Sequence, residues 1–294
     1  MAEKLQTFKQ MFNLQSPISN TSTSETSPLS TSLQLLKLGG SLITDKTKPG
    51  TVRADVLARL AGEIAEARRE LGDGGLVLGH GSGSFGHVPA KKYGTRQGVQ
   101  TPEQWRGFAE VWREADLLNR HVVDALWQAG LPAIRFAVSG SAVSRAGQLA
   151  AWDLSPLRAA LEAGLLPVVY GDVVFDQAWG GTILSTEDIF AHLARELHPV
   201  RVLNAGIEEG VWADYPACTR LIPEITSANF AEVAPALGGS SATDVTGGMA
   251  SKVHEMLGLA EAVPGLEGWI FSGAVPGRVR EALRGHTVGT RIRA

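Results

Sequence analysis

The chain has 294 residues, enough for one large core or two lobes. It is 44% hydrophobic and 19% charged with a net charge of −3, an ordinary globular composition without a basic field for nucleic acid. A single cysteine, Cys218, excludes a disulfide framework and a Cys-based zinc site, and is read as structural. No apolar run reaches the roughly 18 residues of a membrane span, and no apolar stretch of signal-peptide type opens the chain. A cytoplasmic protein that engages neither nucleic acid nor membrane is the expectation.

Residues 1–32 stand apart in composition. Ser16 to Ser32 is rich in Ser and Thr, with two prolines and few bulky apolar residues. Such a segment buries too little surface to offset ordering entropy, so a disordered tail is predicted. It has no Arg, which argues against an organelle-targeting peptide.

From Leu33 the chain changes character. LQLLKL reads as a buried strand interrupted by Lys37 and bounded by Gly39-Gly40, and GGSLITDKTKPGT reads as a loop. Apolar residues at Val56, Leu57, Leu60, Ile64 and Ala67 predict a helix over 52–71, stopped by Gly72. Leu76–Leu78 is a second strand running into the glycine-rich stretch GHGSGSFGH. Thr101 as N-cap and Pro102 at the first helical position start a helix that Gly130 ends. Then come a strand at 133–138, a helix at 153–163 and a continuously apolar strand at 165–172. Val173–Asp176 and Thr182–Ser185 are predicted to pair as a hairpin turned at Gly180-Gly181. Ser185 caps a helix over 186–197, and PVRVLNAG is a strand ending at Gly206. A helix from Met249, the strand GWIFSG, a short helix from Pro276 and a last strand TVGTRI complete the chain. Strands alternate with helices, and several apolar strands end in glycine. That predicts an α/β fold, a three-layer αβα sandwich with a mainly parallel central sheet and ligands at the strands' carboxyl ends.

Gly81 to Gly86 matches G-x-G-x-x-G, and with Val88 the protein-kinase form. Neither context follows. A dinucleotide fold needs a strand ending in an acidic residue about 20 positions on, and a protein kinase needs H-R-D and D-F-G. A P-loop motif is also missing. What remains is an anion cradle, since glycine lets the backbone approach a phosphate and N–H groups at a strand-to-helix turn bind it. Three lysines beside glycine turns, Lys37, Lys46 and Lys252, suit a triphosphate. Phosphoryl transfer asks for positive charge, positioning and donors rather than covalent help.

Taken together, K-x-G-G-S…K, G-H-G-x-G-S-F-G-H, Y-G-D-V-V-F-D, S-x-x-D-I and D-V-T-G-G-M-x-x-K resemble isopentenyl phosphate kinase, of the amino acid kinase superfamily, over Leu33 to Ile292. The resemblance implies an amino acid kinase domain over 33–294, with an acceptor-binding lobe over about 33–180 and a nucleotide-binding lobe over about 181–294. It implies transfer of the ATP γ-phosphoryl group to isopentenyl phosphate, with Mg²⁺ as cofactor and no metal-ligating protein residue assigned, in a homodimer. Lys37 and Lys46 would contact the transferring group, oriented by Asp188, with Asp172 as the alternative carboxylate. Gly39, Gly40 and Ser41 would face the ATP phosphates, with Gly206, Gly248 and Lys252 on the nucleotide side. Ser82, Gly83 and Gly171 would hold the acceptor phosphate, Gly83 also touching the nucleotide. His87 would grip the acceptor, as an imidazole that charges near neutral pH can, whereas His80 reads as structural. One or two of Trp105, Phe108, Val111 and Trp112 would line a slot for the isoprenyl tail. The sequence departs from the family pattern at Ser82, at Ala250, where a further lysine is usual, and in STED at 185–188. Two alternatives stay open: a kinase for another small phosphate or phosphonate, of fosfomycin type, and a non-catalytic anion-binding member of the superfamily.

Overall fold

The computed structural model describes residues 33–71, 75–237 and 248–294. The tail predicted over 1–32 lies outside them, as does D-V-T-G at 244–247. The first half of the chain runs β1 (Gln34–Leu38), α1 (Gly40–Ile43), α2 (Ala54–Leu71), β2 (Leu76–His80), α3 (Gly83–Tyr93), α4 (Pro102–Gln128), β3 (Ala133–Arg135), β4 (Ala142–Arg145), β5 (Gln148–Trp152), α5 (Ser155–Glu162), β6 (Leu166–Tyr170), β7 (Asp172–Asp176) and β8 (Gly180–Leu184). The second runs α6 (Thr186–Leu197), β9 (Arg201–Gly206), β10 (Val211–Trp212), β11 (Leu221–Ile222), β12 (Glu224–Thr226), α7 (Phe230–Leu237), α8 (Gly248–Ala262), β13 (Glu267–Ser272), α9 (Arg278–Leu283) and β14 (Thr290–Arg293).

Eight strands form the central sheet in the order β12-β14-β13-β9-β1-β2-β6-β3. Every neighbouring pair is parallel except β13 with β14. Successive side chains of a strand point to opposite faces, and each face of this sheet has its own core. Leu35, Val77, Val202 and Ile270 pack with Ile189 and Leu193 of α6 and Val253 and Leu257 of α8. Leu36, Leu78, Leu203 and Phe271 pack with Leu60 and Ile64 of α2, Leu118 and Val122 of α4, and Val279 of α9. The αβα sandwich expected from the strand pattern is therefore what forms. β1 is its hinge of connectivity, with β2 on one side and β9 on the other, the kind of strand-order reversal where open α/β sheets bind ligands.

Local signals explain several boundaries. Thr101 and Gln104 form the capping box of α4: Thr101 Oγ1 accepts from Gln104 N at 3.2 Å, and Gln104 Oε1 accepts from Thr101 N at 3.1 Å. Ser185 caps α6 in the same way through Asp188.

Three local expectations are corrected. The stretch after Gly39 is not all loop, since Gly40–Ile43 makes one helical turn that buries Leu42 and Ile43. The strand expected over 133–138 stops at Arg135. The hairpin turn lies at residues 177–179, because Asp172–Asp176 pairs with Gly180–Leu184. Asp176 builds that turn, its Oδ1 accepting from Ala178 N at 2.8 Å and Trp179 N at 2.9 Å. Gly180 and Gly181 serve close packing, for a Cβ on Gly180 would meet Val99 O at 2.1 Å and one on Gly181 the Phe108 ring at 2.8 Å. This hairpin joins β4 and β5 in a second sheet, β5-β4-β7-β8, which the strand pattern did not announce.

Candidate active site

Four adjacent parallel strands, β9-β1-β2-β6, end at glycine turns: Gly206, Gly39-Gly40, Gly81 and Gly171. Together they floor a cavity of about 370 Å³. Of the residues expected to act, Lys37, Gly39, Gly40, Ser41, Ser82, Gly83, His87, Gly171, Gly206 and Lys252 all line it. Lys46, Asp188 and Gly248 do not. Gly248 is the first residue of α8, directly before Met249, which does line the cavity. Lys46 stands on an exposed loop after α1, a loop tied to α3 by Gly50 N donating to Ser84 O at 3.2 Å.

The cradle is made where two glycine turns touch. A Cβ on Gly40 would lie 2.3 Å from Gly83 N and 2.6 Å from Gly83 Cα. Gly83 also has φ +53°, in the left-handed region that side chains avoid. Thr44 locks the pair, donating from Oγ1 to Gly40 O at 2.7 Å and accepting from Ser84 N at 3.0 Å. The starts of α1 and α3 thus converge at this point. Among the described residues, the N–H groups of Gly40, Ser41, Ser82 and Gly83 find no acceptor. Orphan N–H groups at a helix start are the usual means of holding a phosphate. Gly86 makes room for Ser82, whose Cβ would lie 3.3 Å from a Cβ placed on Gly86.

Lys37 reaches the cavity because of strand alternation. Leu36 and Leu38 point to the α2 and α4 face, so Lys37 faces α6 with Leu35. Its neighbours in register are Gly79 and Asn204. Gly79 leaves room for Phe190 of α6, whose ring would lie 2.6 Å from a Cβ there. Lys37 is 9% exposed, and its Nζ forms an ion pair with Glu187. Burial raises the Glu187 pKa, but the ammonium of Lys37 outweighs it and holds the carboxyl below its ordinary value, with help from Lys252.

The carboxylate on Lys37 is therefore Glu187, and the expected Asp188–Lys37 salt bridge does not form. The reason is the cap. Asp188 Oδ2 accepts from Ser185 N and Ser185 Oγ, each at 2.7 Å, and Arg96 Nη2 lies 3.4 Å from it. Asp172, the other candidate, is fully buried, with Oδ1 accepting from Val173 N at 2.8 Å and Ser139 beside the carboxyl. Burial raises its pKa to about 6, and Asp116 nearby acts in the same direction. His80 is structural: it is buried, stacked on Tyr170 at 5.3 Å, and bonded through Nε2 to Asn119 Oδ1 at 3.2 Å. Burial pushes its pKa down to about 4, so it is neutral.

One end of the cavity is apolar. Val111 lines it as anticipated, joined by Ala90, Ala115 and Ile183. The three aromatic candidates do not line the cavity, although Phe108 and Trp105 belong to the same apolar cluster as Val111, Ala90 and Ile183. Phe108 packs in a small core with Val99, Val111 and Val173, Trp105 meets Phe108 edge-on and Phe175 at a tilt, and Trp112 is exposed. The sequence reading missed Glu187, Asn204, Lys91 and Arg96, all of which line the cavity. For Glu187 a signal existed. S-x-x-D before an apolar run is a capping box, which assigns Asp188 to the helix start and leaves Glu187 for the site.

Several known proteins resemble this chain in sequence and fold. The amino acid kinase family profile matches residues 32–272. Isopentenyl phosphate kinase of Methanothermobacter thermautotrophicus is 38% identical over 269 residues, 88% of this chain and 98% of that protein. The Arabidopsis thaliana isopentenyl phosphate kinase is 30% identical over 244 residues, 74% of this chain and 72% of that protein. Among solved structures, an isopentenyl phosphate kinase matches with a TM-score of 0.74 at 34% identity, over 88% of this chain and 99% of the other. The product complex of T. acidophilum isopentenyl phosphate kinase matches with a TM-score of 0.71 at 25% identity, over 89% of this chain and all of the other. On sequence and fold alike, the chain belongs to the amino acid kinase family and, within it, to the isopentenyl phosphate kinases.

Proposed function

We infer that the chain transfers the γ-phosphoryl group of ATP to isopentenyl phosphate, giving isopentenyl diphosphate and ADP. The observation that carries this is the composition of one cavity: a double glycine cradle, the buried Lys37–Glu187 pair, and an apolar end of Ala90, Val111, Ala115 and Ile183. The cradle suits phosphates and the apolar end suits a short hydrocarbon tail. An oxygen of the acceptor phosphate attacks the γ-phosphorus in line as the bond to ADP breaks. That oxygen is already anionic, so no general base is required.

The residues divide by side. Gly39, Gly40 and Ser41 would offer N–H groups to the ATP phosphates, with Gly206, Gly248 and Lys252 on the nucleotide side. Ser82, Gly83, His87 and Gly171 would hold the acceptor, Gly83 also bordering the transferring group. Lys37 and Lys46 would offset the charge of that group. Glu187 holds Lys37 in place, and Asp188 acts one step back, by capping the helix that carries Glu187. Residues of about 33–180 would thus form the acceptor side and those of about 181–294 the nucleotide side, across one continuous sheet.

Mg²⁺ fits as a metal carried on the nucleotide. It keeps several waters and binds mainly through substrate phosphates, and the described residues gather no group of three His, Cys, Asp or Glu. When bound, it would neutralise phosphate charge. Among the described residues no helix is long and apolar enough to cross a membrane. A cytoplasmic homodimer that binds no nucleic acid completes the proposal, with light scattering as the test of assembly.

The apolar end favours an isoprenyl acceptor over a compact phosphonate. ADP release with isopentenyl, dimethylallyl and geranyl phosphates and with fosfomycin tests this. Highest kcat/KM with isopentenyl phosphate is expected. Preference for fosfomycin, or no turnover with any of them, would refute the assignment.

A further inference from the structure

Arg96 and Lys91 are cavity-lining cations without an assigned function, and Arg96 has a carboxylate in reach. It lies in the turn Thr95–Gln97 between α3 and α4. Its backbone is fixed. Arg96 O accepts from Thr182 Oγ1 at 3.0 Å, Thr182 and Thr95 are buried, and Gln97 N donates to Gly94 O at 2.9 Å. Its guanidinium is held loosely by comparison, with Nη2 3.4 Å from Asp188 Oδ2 and the two side chains 45% and 38% exposed. A half-exposed pair at that distance is worth little. Asp188 does not depend on it, because Ser185 already donates to Oδ2 twice at 2.7 Å. A fixed backbone with a weakly held planar fork is suited to exchanging one anion for another. Guanidinium matches a phosphate in bidentate geometry better than an ammonium does.

We propose that Arg96 is a specificity-determining residue for the acceptor: its guanidinium exchanges Asp188 for the phosphate of the bound phosphomonoester. The acceptor is indicated over the nucleotide by chain position. Arg96 joins the two helices that supply His87 and Ala90 on one side and Val111 and Ala115 on the other. The nucleotide-side residues Gly206, Met249 and Lys252 come from β9 and α8. Asp188 then acts as a competing carboxylate, which the acceptor displaces. The inference rests on the proposed isopentenyl phosphate kinase activity.

Titration calorimetry with isopentenyl phosphate, alongside steady-state kinetics, tests it. Arg96→Ala is expected to weaken acceptor binding about tenfold or more, the size of a lost charge-assisted hydrogen bond, with the KM for ATP moving less than about twofold. Arg96→Lys, which keeps the charge without the fork, is expected to fall between. Asp188→Asn removes the competitor while keeping an acceptor oxygen for Ser185, so acceptor binding is expected to stay or tighten. A merely structural Arg96–Asp188 link makes the opposite demand, that Arg96→Ala and Asp188→Asn weaken binding alike. That result, or wild-type acceptor affinity in Arg96→Ala, would overturn the proposal. Turnover of isopentenyl phosphate by the unaltered enzyme separates the two questions, since its failure would refute the activity, not the role of Arg96 alone.

Discussion

Gly40→Ala is the sharpest perturbation of the cradle. The added Cβ would stand 2.3 Å from Gly83 N, 2.6 Å from Gly83 Cα and 3.3 Å from the Gly81 carbonyl carbon. Non-bonded atoms prefer about 3.5 Å or more, so the two turns must part by about 1 Å. The obstructing atoms are backbone and cannot rotate aside. Parting strains both hydrogen bonds of Thr44, to Gly40 O and from Ser84 N. Overpacking a tight site costs about 1–3 kcal/mol, which in a domain of this size lowers Tm by about 2–6 °C. A misplacement of about 1 Å in a reacting site can cost about a hundredfold in rate. Steady-state ADP release with isopentenyl phosphate, with thermal unfolding in parallel, reads both effects. Gly258→Ala is the control, as nothing lies within 4 Å of its Cβ and it is exposed on α8. There the change is expected to stabilise by up to about 1 kcal/mol. A folded Gly40→Ala enzyme with kcat within about threefold of the original would show that turn contact does not set the rate, contrary to the leverage of positioning.

Other substitutions test separate parts of the site. Glu187→Gln should lower kcat by about tenfold or more with smaller effects on KM, since Lys37 loses the charge that positions it; unchanged kcat would remove Glu187 from that role. Because Lys37 depresses the Glu187 pKa against the opposing effect of burial, the pair's contribution to stability is present above its ordinary 4.5 and lost on acidification. His87→Ala should chiefly raise the KM for isopentenyl phosphate, and wild-type kinetics would refute its grip on the acceptor. Asp172→Asn tests a pH dependence of opposite sign. Burial raises the Asp172 pKa from 3.8 to about 6, so its stabilising contribution is present below pH 3.8 and lost as pH rises through about 6. Ionisation at pH 7 then costs about 3 kcal/mol, at about 1.4 kcal/mol per pH unit. The variant should melt higher than the original at pH 7.5 and lose that advantage by pH 4, whereas equal shifts at both pH values would contradict the buried charge.

Much of this architecture is legible in the residues. Apolar strands ending in glycine announced the parallel sheet, and the caps at Thr101 and Ser185 placed two helix starts. Lys37 stood out as a charge inside a buried strand. What escaped notice depends on tertiary contact. Strand β5 is mostly exposed, and its short apolar run, Leu149 to Trp152, becomes a strand by pairing with β4. Gly180 and Gly181 look like a turn, yet Asp176 makes the turn and the glycines admit Val99 and Phe108. Asp188 and Glu187 are adjacent in sequence and opposite in use, divided by the capping box. Arg96 carries no motif, and it reaches the cavity only because Thr182 holds its turn against β8.

The central claim is that this cavity joins two phosphates, one of them attached to an isoprenyl group. ³¹P NMR of the enzyme with ATP, Mg²⁺ and isopentenyl phosphate tests it directly, because it separates diphosphate formation from simple ATP hydrolysis. The account predicts that the monophosphate signal gives way to the coupled pair of an isoprenyl diphosphate, matched one for one by ADP. ADP accompanied by inorganic phosphate, with isopentenyl phosphate unconsumed, would contradict it.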